Sequence, residues 1–343
     1  MTPGRRGSEV VLLLASGFLS LILAEAMLRV LGRGPLQVNP VPGHFWRYDS
    51  VLGWSNSPGA EGVFEHPRFR INVHINSKGL RDREYAYEPD PGARRILVIG
   101  DSFVWGYGVE QPQTFPKLLE ARLRGVDVIN AGVAGYGTDQ ELLWLRSEGV
   151  RYRPDLVILV MCGNDDDVNN SDLVYHVYHK PRFRKTDRGE LVLTGVPVPP
   201  ASRALRLKHW LFAHSALVFQ LKSGLIDRFR HPQGSTRAAG LGLTLDLADA
   251  IARVARDAGA AFLVVTTSRY APSATFPYDE LVASLRQRGR LTLDIDHAPG
   301  YDAATMLIPG DAHWSPAGHR FVAEQVMATI QDHHLLDERQ PAD

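Results

Sequence analysis

The sequence predicts an α/β protein in which a central parallel sheet is covered on both faces by helices. Three observations predict it. Short apolar runs bounded by turn residues recur at Arg95–Gly100, Leu156–Met161 and Ala261–Thr266, as expected of strands buried on both faces. Amphipathic stretches of helical period alternate with these runs, and such alternation gives a parallel sheet. Residues able to do chemistry collect where the runs end, and open α/β sheets bind ligands outside the carboxyl ends of their strands.

From the N-terminus, the chain opens with Arg5 and Arg6. Val10 to Ala24 is then uncharged, and the apolar character continues to Leu31 at the cost of including Glu25 and Arg29. A basic flank followed by such a run is a signal anchor or a cleavable signal peptide. Ala24-Glu25-Ala26 offers a small-x-small cleavage site near Ala26, which would release a secreted protein; a retained single-pass anchor over residues 1–31 is the favoured reading. With Arg5 and Arg6 inside, the remaining chain lies outside the cytoplasm, in the periplasm or at the cell surface. Residues 32–93 are rich in Pro, Gly and aromatics and alternate at Phe69–Asn76, which predicts a linker and a small β-rich apron.

The main domain is expected over 94–334, with a tail at 335–343. Its first strand is 95–100, followed by a helix beginning near Thr114 with Phe115, Leu118, Leu119 and Leu123 on one face. Val126–Asn130 is the second strand, Asp139–Glu148 a helix and Leu156–Met161 the third strand. Leu245–Ala258 reads as a helix, Ala261–Thr266 as the fourth strand and Leu291–Ile295 as a fifth. The last helix starts at Ser315-Pro316, a hydroxyl cap with Pro at the first helical position. An insertion at about 168–237 breaks the rhythm. It holds the Pro-rich turn Val196–Pro200 and many basic residues, among them Lys180, Arg182, Arg184, Lys185, Arg203, Arg206, Lys208, Arg228 and Arg230. It reads as a basic surface for an anionic polymer or lipid headgroups, or equally as a solvated helical cover.

Composition narrows the function. The 343 residues are 44% hydrophobic and 22% charged with formal net charge zero, and no basic helix with interleaved aromatics points to nucleic acid. The single cysteine, Cys162, excludes intrachain disulfides and a cysteine-rich metal site. Gly106-Tyr107-Gly108 lacks the third glycine and acid of a dinucleotide site, so no cofactor is expected. Asp165-Asp166-Asp167 reads as a solvated loop rather than a metal site. Cys162 and His319 read as structural, and His333-His334 as a frayed end.

Four loops carry candidate chemistry. Gly100-Asp101-Ser102 follows the first strand, Asn130 to Thr138 with three glycines the second, and Gly163-Asn164-Asp165 the third. Asp311-Ala312-His313-Trp314 precedes the last helix. This is the set acyl transfer needs. Ser102 is a nucleophile once His313 takes its proton, and Asp311 holds the imidazole. The N–H groups of Ser102 and Gly135 and the amide of Asn164 would receive the oxyanion.

On these residues the chain resembles the SGNH (GDSL) hydrolase superfamily over about Arg94 to His334, the insertion excepted. The resemblance implies a flavodoxin-like three-layer α/β/α fold. It matches Ser102 to the block-one nucleophile, Gly135 to the block-two glycine, Asn164 to the block-three asparagine and His313 to the block-five histidine. Most of the family places the triad acid three residues before the histidine, whereas Asp311 stands two before. Asp-x-His-Trp is similar to the variant of alginate O-acetyltransferase-like members, and Ile75–Asp82 looks like the stretch before the serine block in membrane-anchored bacterial members. The expected partners are therefore an ester substrate, an acetylated glycan or lipid, and the membrane. Hydrolysis of an O-acyl ester, acetyl transfer to a surface glycan, and a non-catalytic binding or assembly role are the three readings. The sequence does not indicate an oligomeric state.

Overall fold

The computed structural model describes residues 3–33, 44–66, 68–174, 178–221, 237–269 and 277–337. Arg228 and Arg230 of the insertion, and the tail from 338, lie outside the described residues. The chain divides into two compact units, one of residues 1–38 with 201–235 and one of 39–200 with 236–343.

The first helix, α1 (Pro3–Val30), begins the smaller unit. Its segment Glu9–Val30 is long and apolar enough to cross a membrane, and by length and composition it fits a membrane span or a signal sequence. In the larger unit, two antiparallel hairpins come first: β1 (Trp46–Asp49) with β2 (Gly53–Asn56), and β3 (Glu61–His66) with β4 (Phe69–His74). The alternation in β4 is literal, since Ile71 and Val73 are buried while Arg70, Asn72 and His74 are exposed.

The central sheet is built from β5 (Arg94–Ile99), β6 (Val126–Asn130), β7 (Leu156–Cys162), β12 (Ala261–Thr267) and β13 (Thr292–Asp294). Between them the chain forms α2 (Ser102–Trp105), α3 (Phe115–Glu120), α4 (Thr138–Ser147) and α5 (Asp165–Asn169). It continues through the two-residue strands β8 (Leu173–Val174) and β9 (Tyr178–His179), then β10 (Arg182–Lys185) and β11 (Leu191–Thr194). Helices α6 (Arg203–His214) and α7 (Ala216–Leu221) come next, and belong to the smaller unit. Then come α8 (Arg237–Asp257), α9 (Tyr278–Gln287), α10 (Ala303–Met306) and α11 (Pro316–Asp332).

All neighbours in the central sheet are parallel, in the order β13-β12-β7-β5-β6. Counted by appearance within that sheet this is 2-1-3-4-5, the flavodoxin-like order, with helices on both sides. The fold is the three-layer α/β/α arrangement expected from the sequence. Every residue of β7 is buried because it lies centrally, between β5 and β12. One core cluster joins Ile96, Val98, Val128, Ile158, Val160, Leu263 and Val265 of the sheet to Phe115, Leu119, Val322, Val326 and Ile330 of α3 and α11. Ser315 caps α11 by accepting from the N–H of Gly318, with Pro316 at the first helical position.

Four readings need correction. Helix α8 starts at Arg237 rather than Leu245, because packing of Leu241 and Leu243 overrides the low helix propensity of Gly240 and Gly242. The insertion is not solely helical, since β10 and β11 form a hairpin. Lys180 does not belong to a basic surface: its ammonium is buried and paired with the equally buried Asp139. Asp165-Asp166-Asp167 is not a solvated loop. It opens α5, and Asp165 is buried with its carboxylate accepting from the N–H of Cys162 at 3.0 Å.

The segment before β5 buttresses the turn and loop on its far side. Arg81 is fully buried; its guanidinium donates to the carbonyls of Trp105 (2.9 Å), Gly106 (2.7 Å) and Val109 (2.8 Å) and stacks over the Trp105 ring. Asp82, also buried, pairs with Lys117 at 2.8 Å and accepts from the N–H of Asn130 at 2.8 Å. Arg81→Ala strands three buried carbonyls and is expected to lower unfolding stability by about 2–4 kcal/mol in chemical denaturation. A loss near zero would mean that water replaces the guanidinium.

Candidate active site

The order β6-β5-β7 places a topological switch point between β5 and β7, where a crevice opens outside the strand ends. Ser102 follows β5 and Asn164 follows β7, so the fold itself puts both at that crevice. Gly100 is required at the turn, because a Cβ there would lie 2.4 Å from Val104 Cγ2. Asp101 then caps α2, its carboxylate accepting from the N–H of Phe103 at 2.9 Å. This short turn presents Ser102 half-buried at the rim, while Phe103, Val104 and Trp105 enter the core.

The loop after β6 is tied to the same turn. Asn130 donates through Nδ2 to the carbonyl of Val104 (2.7 Å) and accepts at Oδ1 from the N–H of Gly132 (3.0 Å). Gly132 passes so close that a Cβ would lie 2.2 Å from the Trp105 nitrogen. Gly135 sits at φ +80°, in the left-handed region where glycine is favoured. On the third loop, the Cys162 thiol donates to Asn164 Oδ1, which leaves Nδ2 as the end available to another acceptor. Among the described residues, the N–H groups of Ser102 and Gly135 and the Nδ2 of Asn164 have no hydrogen-bond partner.

The fourth loop closes the set. Ile308 donates to the carbonyl of His313 (2.9 Å) and Asp311 to that of Ile308 (2.8 Å), while Leu307 bridges Trp314. Trp314, fully buried, anchors the turn against Phe103. Asp311 Oδ1 accepts from both the backbone N–H of His313 (3.0 Å) and its ring Nδ1 (2.7 Å). The shortened Asp-x-His spacing thus still yields the carboxylate–imidazole pair, through a tight turn. That pairing puts the ring proton on Nδ1 and leaves Nε2 to accept from Ser102 Oγ at 2.7 Å. The imidazole lies between the rings of Tyr107 (4.5 Å) and Phe103 (5.1 Å). The structure therefore brings Ser102, His313 and Asp311 into one hydrogen-bonded line.

Sequence reasoning missed the contribution of the β3–β4 hairpin. Arg68 places Nη1 3.7 Å from Asp311 Oδ2, and burial holds the nearby His66 below the usual imidazole range. No sequence signal marks either residue, since the contact crosses most of the chain. His319 is buried and accepts from the N–H of Phe115 at 3.2 Å; burial pushes its pKa down to about 3, in keeping with a structural role. Among the described residues no cluster of His, Cys, Asp or Glu could hold a metal ion.

Beneath the serine lies a set of buried acids. Burial raises the carboxyl of Asp101, which has the Cys162 thiol at 3.2 Å and Ser102 Oγ at 3.4 Å. Glu141 is buried with neither oxygen hydrogen-bonded, and burial, then the charges of Asp165, Asp101 and Asp139, raise its pKa well above the usual range. An acid raised in the folded state leaves stability untouched below its unfolded pKa and erodes it as pH rises toward the folded one, by about 1.4 kcal/mol per pH unit. Glu141→Gln removes that slope. Its stability relative to the parent is expected to rise between pH 5 and pH 8, measured by denaturant unfolding at each pH; a pH-independent difference would mean Glu141 is ionised in the fold.

Residues 98–321 match the profile of the GDSL-like lipase/acylhydrolase family. No curated protein sequence matches the chain significantly. Similar solved structures include a G-D-S-L family protein from Desulfitobacterium hafniense, at 13% identity and TM-score 0.43, covering 68% of this chain and 98% of that one. A lipase/acylhydrolase from Enterococcus faecalis aligns at 14% identity and TM-score 0.40, covering 70% and 96% respectively. A family 3 carbohydrate esterase from Clostridium thermocellum aligns at 15% identity and TM-score 0.39, covering 70% and 96%.

Proposed function

This chain belongs to the GDSL-like lipase/acylhydrolase family, and we propose that it is a membrane-anchored, extracytoplasmic serine esterase that removes O-acetyl groups through an acyl-enzyme. The observation that carries the reading is the pair of 2.7 Å contacts linking Asp311, His313 and Ser102. His313 Nε2 takes the Ser102 proton as Oγ attacks the ester carbonyl. The oxyanion accepts from the N–H groups of Ser102 and Gly135 and from Asn164 Nδ2. Collapse of the tetrahedral intermediate breaks the ester C–O bond, and His313 returns its proton to the departing alcohol. Water then repeats the sequence and frees acetate. Asp311 holds the ring tautomer and stabilises the imidazolium throughout.

One feature favours a second reading on the same site. The Asp311-Ala312-His313-Trp314 spacing is similar to that of O-acetyltransferase-like members, and a sugar hydroxyl in place of water would make the second half-reaction a transfer. The two are separated by following labelled acetyl from a donor ester in the presence of an acetyl-free polysaccharide acceptor. Esterase action releases the label as acetate whatever the acceptor concentration. Label appearing on the glycan in excess of free acetate would overturn hydrolysis and establish transfer.

A further inference from the structure

Helix α6 has an exposed face that packing within its own unit leaves uncovered. At 3.6 residues per turn, Leu207, Trp210 and Leu211 fall on one arc, with Arg206 on one flank and Lys208 on the other. Leu207 is 59% and Trp210 55% exposed, whereas Leu205 and Phe212, on the opposite side, are half-buried. The helix contains no acid, and its first residue is Arg203. Large exposed apolar side chains flanked by cations on an acid-free helix match an anionic lipid surface better than a glycan, which offers nothing for leucine to bury in.

The position of α6 in its unit points the same way. The segment Glu9–Val30 rises about 33 Å, against roughly 30 Å of hydrocarbon, so Glu25 would lie about 8 Å inside its C-terminal end. A charged group at that depth needs partners, and α7 supplies them. Glu25 accepts from the N–H groups of Ala216 and Leu217 and from Ser215 Oγ, each at 2.9 Å. Arg29 pairs with Glu25 at 2.8 Å and donates to the carbonyl of His214 at 2.6 Å. Gln220 in turn donates to the carbonyl of Arg33 at 2.9 Å. The corner between α6 and α7 is thereby fixed at the level where α1 leaves the bilayer.

We propose that α6 is a second membrane contact, lying in the anionic headgroup layer of the leaflet at the C-terminal end of α1. Leu207, Trp210 and Leu211 reach the acyl boundary, with Arg206 and Lys208 on lipid phosphates. The inference rests on the reading of α1 as a retained anchor. It also deepens that reading, because cleavage near Ala26 would remove the carboxylate that caps α7.

The test uses the full chain reconstituted in vesicles of phosphatidylglycerol and phosphatidylcholine. Single substitutions Leu205→Cys, Leu207→Cys, Trp210→Cys, Leu211→Cys and Phe212→Cys are labelled with an environment-sensitive fluorophore, with Phe18→Cys reporting on the anchor. The unsubstituted chain, whose Cys162 is buried, serves as the labelling blank. Quenching by spin-labelled lipid is expected to be severalfold stronger at 207, 210 and 211 than at 205 and 212. Quenching at Phe18→Cys with none at 207, 210 and 211 would overturn the second contact while leaving the anchor intact. No quenching at either place would overturn both. A response at Trp210→Cys to soluble polyuronate but not to lipid would replace the bilayer with an anionic glycan and refute the proposal.

Discussion

Ser102→Ala is expected to lower turnover of p-nitrophenyl acetate by roughly 10⁴- to 10⁶-fold, the scale on which loss of a serine nucleophile is felt. The fold should survive. Ser102 Oγ contacts His313 and, at 3.4 Å, Asp101, while Asp101 keeps its bond to the Phe103 N–H. Unchanged thermal melting together with lost turnover would place the defect in chemistry. Retained turnover would remove Ser102 from the mechanism.

His313→Gln is expected to cost a similar roughly 10⁴- to 10⁶-fold, because a carboxamide cannot take the serine proton. The ring is buried between Phe103 and Tyr107, so the shape-conserving glutamine is preferred to alanine, which would leave a cavity. The double variant Ser102→Ala/His313→Gln should be hardly slower than either single one, since nucleophile and base act as a unit. Losses that multiply would mean the two residues work independently. Steady-state kinetics on the three variants decides between these outcomes.

The sheet was legible in the sequence because burial on both faces writes a continuous apolar run, as in Leu156–Cys162. The serine and histidine were legible because turn residues and spacing are local signals. The hidden features depend on contacts that only the folded topology makes. Arg68 meets Asp311 from a hairpin that precedes the sheet, and Arg81 holds the carbonyls of the turn after Ser102. Lys180 looked like a surface cation until α4 brought Asp139 beneath it. The Asp165 carboxylate looked solvated for the same reason: nothing in three adjacent acids says which one turns inward to bind the strand end at Cys162.

The short Asp311–His313 spacing illustrates how one local change is absorbed. A single carboxylate oxygen accepts from both the backbone and the ring of His313, so the turn that brings the acid close also orients the imidazole. Arg68 approaches the other carboxylate oxygen, its Nη1 lying 3.7 Å from Oδ2.

The most direct test of the central claim is covalent. The full chain, treated with a fluorophosphonate and digested, should carry one phosphonyl group on the peptide containing Ser102, and His313→Gln should abolish that adduct. An adduct on any other residue, or none on a folded protein, would contradict an activated serine at the head of the sheet.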